Sequence, residues 1–154
     1  MVRILFVCLG NICRSPMAEA VFRHQVAEAG LADQVHIDSA GTGDWHIGKK
    51  PHKGTRDMLD KHGISYEGLT ARQVTKKDLD EFDYIVAMDQ HNVNDLIALG
   101  ANPDKVHRML DFYPECGLSD VPDPYYTGEF DKVYDLIHQS CSRFLEYVRE
   151  KEGL

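Results

Sequence analysis

The stretch Val2-Arg-Ile-Leu-Phe-Val-Cys8-Leu-Gly-Asn-Ile-Cys-Arg-Ser15-Pro16 decides the fold of this chain. Its first part, residues 2–7, is a short run of mostly apolar, β-favouring residues without polar alternation, which predicts a strand buried on both faces of a parallel sheet. Ser15 and Pro16 predict the start of a helix, with the serine as N-cap and the proline at the first helical position. The segment is therefore predicted to form a strand, a loop from Cys8 to Ser15, and a helix.

Beyond this segment, strand and helix patterns alternate along the chain. Further strands are predicted at residues 35–38, 84–88 and 106–110. Helices are predicted to end near Gly30, Gly63 and Gly100, to open with a capping box at Thr75–Asp78, and to follow Asp89 or His91. The last helix is the clearest, because apolar residues recur at helical spacing from Phe130 to Val148. This order predicts a three-layer α/β fold with a parallel sheet and helices on both faces.

Length, charge and cysteine content exclude several classes of protein. A chain of 154 residues with 43% hydrophobic residues predicts one domain spanning 1–154. The net charge of -8 argues against a nucleic-acid partner and against a polybasic membrane surface. No apolar run is long enough for a membrane span, and no signal peptide is recognisable. Four scattered cysteines do not form a disulfide scaffold, so we expect a cytoplasmic protein with free thiols.

The loop from Cys8 to Ser15 has the composition of an anion site. A cysteine at a strand end is most often a buried apolar residue, but here Gly10 and Asn11 allow backbone amides to approach a ligand. The loop runs into a helix N-terminus, which attracts anions and favours the thiolate form of Cys8. Arg14 adds a planar fork suited to two phosphate oxygens, and Ser15 either caps the helix or bonds the sulfur. The candidate phosphate-binding residues are Leu9, Gly10, Asn11, Ile12, Cys13, Arg14 and Ser15.

The segment Val7-Cys-Leu-Gly-Asn-Ile-Cys-Arg-Ser-Pro16 resembles the signature of the low-molecular-weight protein tyrosine phosphatases. The likeness continues through Asp38–Gly41, Asp44-Trp45, Gly54-Thr55, Ala71–Gln73, Phe82–Tyr84 and Val121–Tyr126. It implies the four-stranded parallel sheet of that family, of flavodoxin-like type. One position departs from the pattern, since Leu69 stands where some relatives have a histidine that supports the phosphate loop. The resemblance therefore implies a different support for the loop in this chain.

The resemblance also implies roles for residues after the loop. Asp123 matches the family's general acid, although Asp-Pro alone is a turn signal, and Asp120 is the second candidate. Trp45, Tyr125 and Tyr126 are the expected aromatic walls of the pocket, in place of ordinary surface packing.

The predicted reaction is hydrolysis of phosphotyrosine and small aryl phosphates through a cysteinyl-phosphate on Cys8, with Arg14 and Asp123 as the other catalytic residues. No metal or organic cofactor is expected. The expected partners are a tyrosine-phosphorylated protein or peptide and phosphate or another oxyanion in the loop; a cognate tyrosine kinase is left open. Cys13 either fills space or forms a reversible disulfide with an oxidised Cys8.

Three alternatives remain for the function. An arsenate reductase on the same fold needs further relay cysteines, and none lies between Cys13 and Cys116. A phosphoarginine phosphatase of this family tends to carry threonine at the position of Ile12. A phosphocarrier that only holds phosphate on cysteine has no need of a leaving-group acid such as Asp123.

Overall fold

A four-stranded parallel sheet forms the centre of the computed structural model, which describes residues 1–154. The strands are β1 (Val2–Cys8), β2 (Val35–Gly41), β3 (Tyr84–Ala87) and β4 (Val106–Arg108). Their spatial order is β2-β1-β3-β4, and every neighbouring pair is parallel. The predicted α/β class and flavodoxin-like fold are confirmed. Because β1 lies between two other strands, all its residues except Arg3 are buried, as the continuous apolar run predicts.

Six helices connect and cover the strands. They are α1 (Arg14–Glu28), α2 (Lys53–Lys61), α3 (Lys76–Glu81), α4 (Gln90–Leu99), α5 (Pro124–Thr127) and α6 (Phe130–Glu152). Short 3-10 turns occupy Pro103–Lys105, Met109–Phe112 and Pro114–Cys116. The predicted capping box opens α3, and Gly100 ends α4 in the left-handed conformation. None of the helices combines the length and the apolar composition that crossing a membrane requires.

Most of the core consists of two large apolar clusters, one on each face of the sheet. Alternate residues of β1 separate them, because successive side chains of a strand point to opposite faces. Ile4, Phe6 and Cys8 belong to the cluster shared with α1, α2 and α6. Leu5 and Val7 belong to the cluster shared with α3 and α4. Cys8 thus continues a core-facing row at the point where β1 ends, which fixes the position of its side chain.

The start of α1 differs from the sequence-based prediction. The helix begins at Arg14, and its N-cap is Cys13, which makes no side-chain capping bond. Ser15 lies inside the first turn, where its hydroxyl contacts the Cys8 sulfur at 3.0 Å. The prediction that Ser15 caps the helix was therefore wrong, because the hydroxyl is used within the loop. Strand β4 is also shorter than predicted, since the chain enters a 3-10 turn at Met109.

Candidate active site

In the loop between β1 and α1, several backbone carbonyls accept hydrogen bonds from outside the loop, while most of its backbone amides donate to no carbonyl. Carbonyl oxygens of the loop accept bonds from outside it, from Thr42 N–H to Cys8 O (3.0 Å), Gly43 N–H to Leu9 O (2.9 Å) and His52 N–H to Ile12 O (2.7 Å). Six loop amides donate to no backbone carbonyl: Leu9, Gly10, Ile12, Cys13, Arg14 and Ser15. The Asn11 amide donates to Cys8 Sγ at 3.3 Å, from a residue with φ of 56°. The loop is thus a set of amide donors next to the sulfur, at a helix N-terminus, which is the arrangement that binds an oxyanion.

Arg14 is a buried cation with part of its guanidinium free. Its Nη1 donates to Asp89 Oδ2 at 2.6 Å and to Val121 O at 3.1 Å, and its Nη2 lies 3.4 Å from Asp123 Oδ2. Its Nε is buried and has no partner. Burial opposes the charge, but Cys8, Asp89 and Asp123 together raise the pKa of Arg14. The bonds of the other two nitrogens hold the guanidinium in place. A buried N–H without a partner is costly, so a bound anion that accepts from Nε would remove this cost.

The sulfur of Cys8 lies at one end of a buried hydrogen-bond chain. Asn11 Nδ2 donates both to Ser15 Oγ (2.7 Å) and to Ser39 Oγ (3.0 Å). The orientation of this amide is fixed, because Asn11 Oδ1 accepts from the Arg72 N–H at 3.0 Å. Ser15 Oγ also contacts Cys8 Sγ at 3.0 Å, and with the sulfur as a thiolate the hydroxyl is the donor of this pair. The network therefore gives the sulfur a second hydrogen-bond partner besides the Asn11 N–H.

Glu19 closes the other end of this chain. It is 5% exposed, and its Oε1 accepts from Ser39 Oγ at 2.6 Å. Burial, with the charge of Asp38, raises the pKa of Glu19 to about 7, against the effects of Ser39 and the guanidinium of Arg23 at 3.9 Å. Leu69, at the position where some relatives have a histidine that supports the loop, packs into the apolar core. The loop support that the sequence left open is thus provided here by Ser39 and Glu19, and nothing in the helical pattern of α1 singles Glu19 out.

Arg72 is a second support that the sequence did not predict. Its guanidinium bonds Asp38 Oδ2 at 3.1 Å and Asp78 at 2.8 and 3.1 Å. These ion pairs hold the peptide whose N–H donates to Asn11, so they act on the loop through the backbone. Arg72 lies 34 residues from Asp38 and 61 residues from Asn11 along the chain, which explains why no local pattern indicated this support.

Asp123 caps a short helix and also lines the catalytic cavity. Its Oδ1 accepts from the Tyr125 N–H at 3.1 Å and caps α5, while its Oδ2 faces Arg14 at 3.4 Å. Asp120, the second candidate acid, accepts from the Gln90 N–H at 3.0 Å and does not line the cavity above Cys8. Of the two carboxylates, only Asp123 is placed beside the loop.

A cavity of about 350 Å³ stands above Cys8, with aromatic walls. The predicted wall residues all line it, and Trp45, Tyr125 and Tyr126 are 65%, 51% and 75% exposed. His46 also lines the cavity, and its Nδ1 lies 3.2 Å from Lys49 Nζ. These aromatic side chains provide apolar faces against which a phenyl ring can pack with its phosphate directed to the loop.

Cys13 lies in the same loop but in a different environment. It is buried against Ile12 and Ala71, and its carbonyl accepts from Thr55 Oγ1 at 3.1 Å. Burial, with the charge of Cys8, raises the pKa of the Cys13 thiol to about 12, so the thiol is neutral near pH 7. Among all 154 residues, no group of three or more His, Cys, Asp or Glu side chains is arranged to hold a metal ion.

Comparison with known proteins agrees with this geometry. Residues 3–153 match the family model described as low molecular weight phosphotyrosine protein phosphatase. Over the full length of both chains, 49% of residues are identical to YfkJ of Bacillus subtilis, described as a low molecular weight protein-tyrosine-phosphatase. PtpA of Staphylococcus aureus, described in the same words, is 44% identical over all of this chain and 98% of its own.

Solved structures give the same result. The crystal structure of YfkJ superposes with a TM-score of 0.96 at 50% identity, covering 98% of this chain and 96% of that one. A Drosophila protein described as an arginine phosphatase superposes with a TM-score of 0.87 at 32% identity, covering 95% and 97%.

Proposed function

The chain belongs to the low molecular weight phosphotyrosine protein phosphatase family, and on that premise we propose that it hydrolyses phosphotyrosine in proteins and small aryl phosphates through phosphate held covalently on Cys8. The observation that carries the proposal is the position of the Cys8 sulfur among free amides, the unpartnered Nε of Arg14 and the carboxylate of Asp123. The catalytic unit proposed is one domain of residues 1–154.

The first step is transfer of the phosphoryl group to sulfur. The Cys8 thiolate attacks phosphorus and forms an S–P bond while the P–O bond to the tyrosine ring breaks. Asp123, in its protonated form, gives its proton to the departing oxygen, so that tyrosine leaves as a neutral phenol. The loop amides and Arg14 Nε donate to the equatorial oxygens, whose charge needs stabilisation in the transition state. Ser15 keeps its donor directed at the sulfur, which favours the thiolate as leaving group later.

The second step is hydrolysis of the cysteinyl-phosphate. Asp123, now a carboxylate, takes a proton from water as the oxygen of that water bonds to phosphorus. The S–P bond breaks and returns the thiolate of Cys8, and inorganic phosphate remains in the loop until it dissociates. No redox change and no cofactor enters this sequence of bonds.

The cavity walls favour an aryl phosphate over the alternatives. Tyr125 and Tyr126 stand with ring centroids 5.2 Å apart at the mouth, and Ile12 presents an apolar side chain inside. The similarity to an arginine phosphatase makes phosphoarginine the alternative that must be tested directly. Arsenate reduction is disfavoured because neither Cys116 nor Cys141 lines the catalytic cavity, and Cys141 is fully buried on α6 with its thiol directed at the carbonyl of Ala18. A cognate tyrosine kinase as partner remains a prediction.

The proposal is tested by trapping the intermediate and by comparing substrates. A phosphotyrosine peptide carrying labelled phosphate, mixed rapidly and quenched in acid, is expected to leave label on the peptide that contains Cys8. For phosphotyrosine peptides, kcat/KM is expected to exceed that for phosphoserine or phosphoarginine peptides by at least about a hundredfold, or about 3 kcal/mol. Label on another residue contradicts the mechanism, and equal rates for phosphoarginine contradict the specificity.

A further inference from the structure

A second depression lies beside the catalytic cavity, on the other side of Trp45. It has a volume of about 320 Å³ and no cationic side chain lines it. We call it the lateral groove; its lining includes Leu9, Thr42, Trp45, Val74, Asp95 and Leu99. The proposed hydrolysis of phosphotyrosine makes no use of it.

The lateral groove is continuous with the catalytic cavity. Leu9 and Trp45 line both. The indole of Trp45 forms a partition between the two depressions and rests on Gly43. An added Cβ at Gly43 would lie 1.9 Å from the ring, so this position of the indole requires glycine. The Gly43 N–H donates to Leu9 O at 2.9 Å, which ties the partition to the phosphate loop. A peptide whose phosphotyrosine occupies the cavity can extend over Trp45 into the groove.

The chemistry of the groove is apolar with acceptors at its rim. Val74 is buried, and Leu99 packs against the same apolar cluster. Asp95 lies one helical turn before Leu99 on α4, so both side chains lie on the same face of the helix. Asp95 is exposed and takes part in none of the ion pairs of the protein. Thr42 Oγ1 is buried without a partner.

The acceptors identify the class of side chain that fits. Lysine and arginine carry an apolar stem that covers aliphatic surface and a cationic head that seeks a carboxylate. The apolar stem can pack against Val74 and Leu99, and the cationic head can pair with the carboxylate of Asp95.

We propose that the lateral groove is a substrate subsite that takes a lysine or arginine close in sequence to the phosphotyrosine, with Asp95 as the carboxylate that selects it. This inference rests on the proposed function, since the phosphotyrosine in the catalytic cavity brings the flanking chain to the groove. The occupant is an extended segment of the phosphorylated protein.

The test is a set of phosphotyrosine peptides in which a single arginine is moved through the flanking positions on both sides. Arginine at one position is expected to raise kcat/KM. Asp95→Asn is expected to lower kcat/KM about three- to fivefold for the peptide with arginine at that position, and for no other peptide. Asp95→Lys is expected to reverse the preference, so that glutamate at the same position becomes favourable. Asp33→Lys is the control, because Asp33 is exposed at the far end of the sheet, before β2.

A small aryl phosphate without flanking residues is expected to react equally with all these variants, which shows that the catalytic cavity is intact. Equal responses of every peptide position to Asp95→Lys and Asp33→Lys would mean that only the overall charge acts, and would overturn the subsite. Hydrolysis of all peptides without any positional effect would overturn it as well. Failure of the unmodified protein to hydrolyse any phosphotyrosine peptide would overturn the proposed function and the subsite together.

Discussion

Replacing Glu19 with glutamine should change how the stability of the protein depends on pH. In the folded protein burial raises the pKa of Glu19 from 4.5 to about 7. Between these values the folded state holds a proton on Glu19 that the unfolded state has released, so stability decreases as pH rises through this window. The difference of about 2.5 pKa units corresponds to about 3 kcal/mol lost by pH 8, at about 1.4 kcal/mol per unit. The stabilisation is fully present below pH 4.5.

Glu19→Gln keeps the size of the side chain and an oxygen that can accept from Ser39, but it does not titrate. The free energy of unfolding of the variant minus that of the unmodified protein is therefore expected to rise by about 3 kcal/mol between pH 4.5 and pH 8. Taking this difference removes the contributions of titrating groups that do not interact with Glu19; Arg23 and Arg72, which face Glu19 together with Asp38, keep their charge throughout this range.

The assay is urea unfolding at constant ionic strength across this pH range, with reductant present. Glu146→Gln is the matched control, because Glu146 is exposed on α6, and its difference curve should be flat between pH 5 and pH 8. The carboxyl carbon resonance of Glu19 should titrate with a midpoint near 7. A flat difference curve for Glu19→Gln, or a midpoint near the ordinary value of glutamate, would refute the argument from burial.

Other predictions concern the catalytic residues. Cys8→Ser should lose nearly all turnover, because a serine hydroxyl is not ionised in the loop, yet should bind phosphate in a calorimetric titration; substantial residual activity in the purified variant would contradict its assignment as nucleophile. Asp123→Asn should slow hydrolysis of phosphotyrosine far more than of an aryl phosphate whose leaving group needs no proton, with Asp120→Asn as control; equal losses would leave Asp123 with only its capping role. Mild peroxide should inactivate the protein and thiol reductant should restore it through a Cys8–Cys13 disulfide found by mass spectrometry, and Cys13→Ser should lose the recovery. Because burial raises the pKa of Cys13 to about 12, disulfide formation should accelerate as pH rises; recovery unchanged in Cys13→Ser would reduce this residue to packing.

Local patterns predicted the elements that carry the loop. The apolar run before Cys8 predicted the buried central strand, and Thr75 with Asp78 predicted the capping box of α3. The first turn of α1 was predicted incorrectly, since Ser15 satisfies the usual preference for an N-cap but its hydroxyl bonds the Cys8 sulfur instead. A local preference worth about 1 kcal/mol gave way to a buried polar network that had to be satisfied.

The amino-acid sequence by itself determined the α/β class, the loop from Cys8 to Ser15 and the family, because these depend on residues adjacent along the chain. Only the tertiary structure decided what supports the loop and what lies beside it. Glu19 and Ser39 meet because α1 and β2 pack together, and Asp95 reaches the groove beside Trp45 because α4 follows the strand next to β1. Hydrogen bonds and ion pairs between such distant residues depend on which helices and strands pack together. That packing cannot be read from the spacing of residues along the chain.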